Sequence, residues 1–372
     1  MNYFKSIRPA MVAVALAAPL PAVAEVDFGE VGEPVDLAIG YQPYYTESWS
    51  GVVNNAKQFW KKYLPEGSTA EFQIGLQGSV IVNAMTGEKQ HIGYMGDMPA
   101  IASTFRNLQQ RGGTDIRIVA TLGTSKQQCN IFIVRNDAPA FESGMDAVKW
   151  MDGKSTAAPH GACTDRFARL AFEKADIEPL RYLNQNIEVI TTNFRAGKLD
   201  AAAIWEPTAT KIVKAGIARR AASGEDFDAL DGAFMVMLND LIQQRPDVVE
   251  GWLNAELDAQ LFMTDMENAD EIAAMAEAQT EQIDKEVLYD ALYASPGDEK
   301  GGGDVKLQFD FIVSPRVAGL MKDATEFLYN QPRKPAASPA MREEAVNDSV
   351  ARRLLEERGL SSPLGVIKAQ RK

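Results

Sequence analysis

Short apolar segments that end in a glycine-containing turn recur along this chain, and most of these turns lead into a helical pattern. The first segment, residues 35–41, predicts a buried strand, and apolar side chains at helical spacing over residues 50–63 predict the helix that follows. The same order recurs at residues 70–85 and 93–99. Strands that alternate with helices predict an α/β fold with mainly parallel strands.

A second α/β unit is predicted after the first. Its strands are expected at residues 129–134, 154–158 and 199–205, and one of its helices over residues 166–175. From residue 239 to the C-terminus the pattern is mainly helical. The chain has 372 residues, which is long for a single hydrophobic core and typical of two domains.

The N-terminal residues have the features of an export signal. Two cations give a positive start, an apolar stretch covers residues 10–23, and the small side chains of Ala22 and Ala24 match a signal-peptidase site. We therefore expect residues 1–24 to be a cleaved signal peptide and the mature protein to be periplasmic. No cysteine lies near the cleavage site, which argues against a lipid anchor.

The formal net charge of −13 restricts the partners of the protein. An acidic surface repels nucleic acid and anionic lipid, so neither is expected as a partner. An anionic ligand would then be held by local dipoles and a few donors, and not by the overall field. No cofactor or metal is expected, because two histidines and two cysteines are few for a metal site.

The chain has two cysteines, Cys129 and Cys163. In an oxidising compartment an even number of cysteines favours a disulfide, and we expect these two residues to be bridged. The alternative is a pair of unpaired thiols, because sequence spacing alone does not establish the geometry that a disulfide needs.

The candidate binding site lies at the turns that follow the strands. In open α/β sheets the ligand binds beyond the carboxyl ends of the strands, where helix starts offer N–H groups and a positive dipole end to an anion. Such turns occur at residues 40–42, 77–79, 96–99 and 161–164. Tyrosines cluster near the first turn and Trp205 ends a strand of the second unit, which is typical of a small-ligand pocket.

Three stretches, at residues 40–43, 93–100 and 197–207, carry a resemblance to a known family. In their residues and their separations they resemble the substrate-binding proteins of ABC transporters of the aliphatic sulfonate, taurine and nitrate type. The stretch that ends in Trp-Glu-Pro is the most specific of the three, and the likeness covers about residues 35–330.

The resemblance implies a two-lobed type II periplasmic-binding-protein fold, with mixed sheets flanked by helices and a ligand cleft between the lobes. Lobe 1 is then expected to comprise residues 25–126 and 236–372, and lobe 2 residues 127–235. The chain is expected to cross between the lobes near residues 124–128 and 233–239, and the lobes to close on the ligand by hinge bending. The implied partners are a small organic anion (sulfonate- or taurine-like, nitrate or carboxylate) and the permease of an ABC importer, with the protein itself a monomer.

The resemblance also implies which residues bind the ligand. The candidates are Tyr41, Gln42, Gly78, Ser79, Asp97, Met98, Cys163, Thr164, Trp205 and Glu206. Relatives usually have small hydroxyl residues at the start of the second-lobe helix, where this chain has Ala162 and Cys163. If Cys163 is bridged, backbone N–H groups and Thr164 must hold the ligand at that turn.

Two other functions fit parts of the sequence. His160 and Cys163 lie three positions apart, which permits a thiol–imidazole enzyme, but no further catalytic motif accompanies them and we expect no enzymatic activity. The same fold also serves ligand-sensing modules and proteins that bind a pyrimidine or an aromatic carboxylate. The tyrosine-rich segment at residues 41–45 leaves that alternative open.

Overall fold

The computed structural model describes residues 26–105, 114–296 and 301–370. The expected signal peptide, residues 1–24, lies outside this described part of the chain. Among the described residues, no helix combines the length and the apolar character that are needed to cross a membrane.

The described residues form strands and helices in alternation over the first two thirds of the chain. The strands are β1 (Asp36–Tyr41), β2 (Thr69–Ile74), β3 (Ile92–Gly96), β4 (Ile116–Ser125), β5 (Ile131–Arg135), β6 (Ser155–Ala158), β7 (Arg181–Asn184), β8 (Ala201–Ile204), β9 (Ala218–Ser223), β10 (Asp231–Leu238), β11 (Val305–Phe309) and β12 (Gly365–Lys368). The α-helices are α1 (Trp49–Lys57), α2 (Gly78–Thr86), α3 (Asp97–Ser103), α4 (Gly144–Trp150), α5 (Cys163–Ala175), α6 (Ile187–Arg195), α7 (Thr208–Lys214), α8 (Asn239–Gln244), α9 (Pro246–Thr264), α10 (Ala269–Ala278), α11 (Lys285–Tyr293), α12 (Pro315–Tyr329) and α13 (Ser349–Glu357).

The larger of two sheets has seven strands in the order β12-β11-β4-β10-β3-β1-β2. Strand β1 pairs in parallel with both β2 and β3, so the carboxyl ends of these three strands lie at one edge of the sheet. Strand β10 runs antiparallel between β3 and β4. All eight of its residues are buried, which explains why its sequence is almost continuously apolar.

The smaller sheet has five strands in the order β7-β6-β8-β5-β9. Strand β6 pairs in parallel with β7 and β8, whereas β5 runs antiparallel to β8 and β9. Both sheets are therefore mixed and flanked by helices, which confirms the predicted fold class.

The chain passes between the two sheets at residues 126–130 and 224–230. The first crossing lies near the expected segment, whereas the second comes earlier than the expected residues 233–239. The reason is that β10 pairs with β4 from Asp231 onward, so the expected lobe boundary after residue 235 falls inside a strand of the larger sheet. We therefore propose that the second lobe ends before Asp231.

Two segments differ from the sequence prediction. The helix expected over residues 50–63 ends at Lys57, because Gln58 adopts a left-handed backbone conformation with φ of 54°, and a short 3-10 helix follows it.

The C-terminal region, for which the sequence predicts mainly helices, also contributes β11 and β12 to the larger sheet. These strands have five and four residues, too few for apolar periodicity to identify them.

A polar network crosses the apolar core between α9 and the larger sheet. Glu256 is fully buried, and its Oε1 accepts a hydrogen bond of 2.9 Å from Gln260 Nε2. Gln260 also donates to the carbonyl oxygen of Thr121 in β4 at 3.0 Å. Burial raises the pKa of Glu256 from its ordinary value of 4.5 to about 7, so the buried carboxyl binds a proton more tightly than an exposed one.

We expect the substitution Glu256→Gln to stabilise the protein above neutral pH. The folded protein keeps a proton on Glu256 that the unfolded chain releases, so this residue costs stability as the pH rises from about 4.5 through about 7. In urea unfolding, E256Q should raise the free energy of unfolding by up to ~3 kcal/mol at about pH 8, and change it little at about pH 5. Glu250→Gln, at a partly exposed position of the same helix, is the control. An equal gain at both pH values would contradict the expectation.

Candidate ligand-binding site

Loops from the two sheets face each other across a gap. On the side of the larger sheet these loops follow β1, β2 and β3, whose carboxyl ends share one edge. On the side of the smaller sheet they follow β6 and β8, which are also parallel neighbours. The predicted turns of the two units therefore come together in space.

A cavity of about 100 Å³ lies between these loops. It is lined by Gln42, Tyr45, Gln77, Gly78, Ser79, Gly96, Pro99, Pro159, His160, Gly161, Ala162, Cys163 and Trp205. Within the described part of the chain, this lining contains no Asp, Glu, Lys or Arg side chain. A charged ligand in the cavity must therefore be balanced by hydrogen bonds and dipoles.

Two helices, one from each side, begin at the cavity. Helix α2 begins at Gly78 and helix α5 at Cys163, and neither Gln77 nor Ala162 before them caps the helix with its side chain. The first N–H groups of a helix have no partner within the helix, and together with the helix dipole they favour a bound anion. A side chain at Gly78 would collide with the ring of Pro99, so glycine lets the start of α2 lie against the start of α3.

The start of α5 differs from the prediction. The sequence pattern placed the beginning of this helix at Arg166, but the structure begins it at Cys163. The additional turn brings the helix N-terminus to the cavity wall, where Gly161 makes the preceding turn with a φ of +79°. Such a backbone conformation favours glycine.

His160, which the sequence analysis considered only beside the Cys163 thiol, is a polar residue of the cavity. Its ring lies 4.7 Å from the ring of Tyr182, and its backbone N–H donates to Asn184 Oδ1 at 3.0 Å. Its Nε2 atom is buried and has no hydrogen-bond partner among the described residues. Burial lowers the pKa of His160, so the imidazole is neutral at neutral pH.

An acidic cluster lies behind the cavity wall at Tyr45. The Tyr45 hydroxyl donates a hydrogen bond to Glu47, and the fully buried carboxyl of Asp231 lies near that of Glu47. Burial raises the pKa of both carboxyls well above their usual range, and neighbouring acidic charges raise it further. The Tyr45 hydroxyl therefore belongs to this buried cluster, where the carbonyl oxygen of Gly232 also lies 3.4 Å from it.

Asp97, a predicted ligand contact, lies behind the wall as well. It is fully buried, its Oδ2 accepts a hydrogen bond from Arg166 Nη2, and its Oδ1 accepts from the N–H of Met98 at 2.6 Å. Burial raises the pKa of Asp97, and the charge of Arg166 opposes that shift. Because Asp97 begins α3 and Arg166 belongs to α5, this ion pair joins the two sides of the site beneath the cavity.

Trp205 and Glu206 have different surroundings, although they are adjacent in sequence. Trp205 lines the cavity, and its Nε1 donates across the gap to the carbonyl oxygen of Tyr44 at 3.1 Å. Glu206 is buried away from the cavity, where it accepts from the N–H of Thr210 at 2.9 Å and from Arg220 Nη1 at 3.2 Å. Glu206 thus holds the start of α7 and orients the turn that carries Trp205.

Three further predicted residues, Tyr41, Met98 and Thr164, are buried outside the cavity lining. Tyr41 packs edge-on against Phe72 at 5.4 Å, and its hydroxyl accepts from Asn55 Nδ2 at 3.2 Å. The buried hydroxyl of Thr164 has no hydrogen-bond partner in the described chain. Of the ten predicted residues, the cavity thus contains Gln42, Gly78, Ser79, Cys163 and Trp205.

The prediction did not include Tyr45, Gln77, Pro159 or His160, which also line the cavity. Gln77 and Tyr45 lay in segments that the sequence had already marked as a turn and an aromatic cluster. Pro159 and His160 immediately follow β6, and a polar residue directly after a buried strand was the available signal for them.

A disulfide joins Cys129 to Cys163, with Cα atoms 6.1 Å apart, as the cysteine count predicted. Cys129 lies in the first crossing between the sheets, and Cys163 is the first residue of α5. The bond therefore fixes the start of α5 to the crossing segment. Neither cysteine of the described chain is free, so no thiol is available beside His160.

A comparison with models of known protein families matches residues 30–277, more than half of the chain, to the NMT1-like family. The chain belongs to the NMT1-like family. A comparison with curated protein sequences gave no match.

Solved structures similar to this NMT1-like protein include an alkanesulfonate-binding protein and a nitrate-binding protein. The alkanesulfonate-binding protein SsuA from Xanthomonas axonopodis pv. citri, bound to MOPS, has a TM-score of 0.64 and 19% identity over 85% of this chain and 99% of that one. The periplasmic nitrate-binding protein NrtA from Synechocystis PCC 6803 has a TM-score of 0.67 and 15% identity over 90% of this chain and 92% of that one. These matches confirm the predicted resemblance and the fold.

The same fold also occurs in an enzyme. The desulfurization enzyme DszB has a TM-score of 0.60 and 13% identity over 86% of this chain and 99% of that one. At such identities the likeness shows the fold alone, so the function must be argued from the site.

We expect removal of the disulfide to destabilise the NMT1-like protein. The cysteines lie 34 positions apart, and a cross-link of that length stabilises a fold by about 3–4 kcal/mol in the chain-entropy model. The double variant Cys129→Ser/Cys163→Ser should lower the urea midpoint accordingly, and thiol titration of the unreduced protein under denaturing conditions should find no free thiol. A double variant as stable as the unreduced protein would show that the bond contributes nothing to stability.

Proposed function

We propose that this NMT1-like protein is a periplasmic solute-binding protein that captures a small organic anion and delivers it to the permease of an ABC importer. One observation carries the proposal: the starts of α2 and α5, from opposite sides of the gap, meet at one cavity whose described lining has no charged side chain. Backbone N–H groups at both ends suit an anion that needs no paired cation. The likeness to nitrate- and alkanesulfonate-binding proteins supports this ligand class.

The neutral side chains of the cavity complete the proposed site. His160 has an unpaired Nε2 within the described structure, and Gln42 and Ser79 add an amide and a hydroxyl. Neutral donors hold an anion without forming an ion pair, so release to a permease needs no charge separation. The indole of Trp205 provides a flat wall that excludes water from the ligand.

We propose further that the ligand is an aminosulfonate or a closely related molecule. The helix starts bind the negative group. Gln42 also lines the cavity, and the oxygen of its side-chain amide can accept a hydrogen bond from an ammonium group of the ligand. A molecule that carries both a sulfonate and an ammonium group would use the helix starts and this amide together.

The second candidate is a ligand with an aromatic ring, such as a pyrimidine or an aromatic carboxylate. Tyr45 and Trp205 line the cavity and favour a planar molecule between them. Catalysis by a thiol is not proposed, because the Cys163 sulfur is bonded to Cys129. The two candidates differ in whether the ligand contains an aromatic ring, and experiments can separate them on that basis.

A ligand panel tests the proposal. Native mass spectrometry of gently purified mature protein shows what it carries, and thermal denaturation measures the response to taurine, ethanesulfonate, nitrate, benzoate and a free pyrimidine. A ligand at 100 times its Kd adds about 2.7 kcal/mol of stability, a shift that such a scan resolves. We expect taurine to shift the melting temperature most, and ethanesulfonate to shift it less. A response to the pyrimidine alone would support the second candidate instead.

The substitution Ser79→Asp tests the sign of the ligand charge. Ser79 is exposed at the mouth of the cavity, in the first turn of α2, where an acidic residue favours the helix. A carboxylate there repels an anion, so we expect S79D to weaken binding of an anionic ligand at least about 100-fold, which corresponds to roughly 2.7 kcal/mol in calorimetry. Ser79→Ala separates loss of the hydroxyl from gain of charge and should cost far less.

The matched control for this experiment is Ser143→Asp. Ser143 caps α4, which lies away from the cavity, and its side chain accepts from the N–H of Asp146. An aspartate at that position keeps a helix cap and adds the same charge, and its repulsion from the Asp146 carboxylate, to which Ser143 donates at 2.7 Å, acts on α4 and not on the cavity. If S79D binds the ligand as tightly as S143D does, the ligand is not held as an anion by the start of α2.

A further inference from the structure

A second cavity, of about 240 Å³, lies on the other side of the Glu206 turn. It is enclosed by α7 and β9 from the smaller-sheet side and by α11 and β11 from the larger-sheet side, and it shares no lining residue with the ligand cavity. Its lining is rich in cations. The charged residues there are Lys214, Arg219, Arg220 and Lys306, with Glu206 and Asp290 as the acids.

The two acids of this cavity are already engaged. Glu206 accepts from Arg220 Nη1 at 3.2 Å, and Asp290 Oδ2 lies 2.6 Å from Lys214 Nζ. Arg219 donates to backbone carbonyl oxygens and stacks on the ring of Phe141. These contacts leave the fourth cation, Lys306 on β11, without an acid of its own in the described cavity lining.

Lys306 is that cation. It is only 1% exposed and lines the second cavity, and no hydrogen bond or ion pair reaches its ammonium group from the described residues. Burial, together with the nearby charge of Arg220, lowers the pKa of Lys306 to about 7. A buried ammonium without a partner is costly, and an anion beside it removes most of that cost.

We infer that the second cavity binds a small anion, a short carboxylate or an inorganic oxyanion, against the Lys306 ammonium. Space for the anion exists next to the buried charge, and among the described lining residues the positive side chains outnumber the acids. Val213 and Ala294 contribute apolar lining that suits a short aliphatic tail. The bound anion bridges the two sides of the molecule behind the Trp205–Glu206 turn, so it stabilises their contact. This inference does not depend on the proposed function.

Thermal denaturation of the mature protein at about pH 6.5 tests the inference. The probes are sodium acetate and sodium phosphate, each at about 10 mM, with sodium chloride keeping the ionic strength constant. We expect at least one probe to raise the melting temperature of the unsubstituted protein by about 2 °C or more. Lys306→Met, which removes the charge and keeps the length of the side chain, should abolish that shift. Lys322→Met, at an exposed position of α12, should retain it.

Two further variants separate the outcomes. Val213→Phe fills the cavity without removing a charge, and it should also abolish the shift, which keeps the test valid if K306M does not fold. Ser79→Asp alters only the ligand cavity and should leave the shift intact whether or not the proposed function holds. The inference is overturned if neither probe stabilises the unsubstituted protein, or if K306M and V213F respond as the unsubstituted protein does.

Discussion

The N–H groups at the starts of α2 and α5 are the feature on which the rest of the site depends. They lie at the cavity because parallel strands bring the loops that follow them to one edge of each sheet. These N–H groups face no side-chain cap from the residue before either helix. Contacts away from the cavity hold both starts in place. Gly78 allows α2 to lie against Pro99, and the disulfide to Cys129 fixes the first residue of α5. The site is thus a property of the backbone that packing keeps rigid.

Charge is buried around the cavity and kept out of its wall. Asp97 is paired with Arg166 beneath the cavity, and Glu206 is paired with Arg220 beside it. Behind Tyr45, burial and mutual repulsion raise the pKa values of Glu47 and Asp231. An acidic protein can therefore present a cavity whose wall carries no charged side chain among the described residues. The ion pairs orient the loops, while helix starts and neutral side chains face the cavity.

The Trp205–Glu206 turn separates two cavities of different character. On one side, the indole faces a cavity whose described lining has no Asp, Glu, Lys or Arg and at which two helices begin. On the other side, Lys306 faces a cavity lined by charged side chains. Both cavities lie between elements of the two sheets, so occupancy of either one contributes to the contact between them.

The sequence by itself determined the α/β class, the turns at the strand ends and the family resemblance, because each rests on local spacing. The number of cysteines predicted a disulfide, and the structure shows the geometry that the bond needs. It could not determine which side chains face the cavity. Asp97 lies behind the wall because it pairs with Arg166, 69 positions away. Lys306 has no ion-pair partner among the described residues, because the two acids of its cavity, Glu206 and Asp290, pair with Arg220 and Lys214. Burial, pKa values and the pairing of β11 and β12 with the larger sheet depend on such long-range contacts. Only the tertiary structure brings those contacts together.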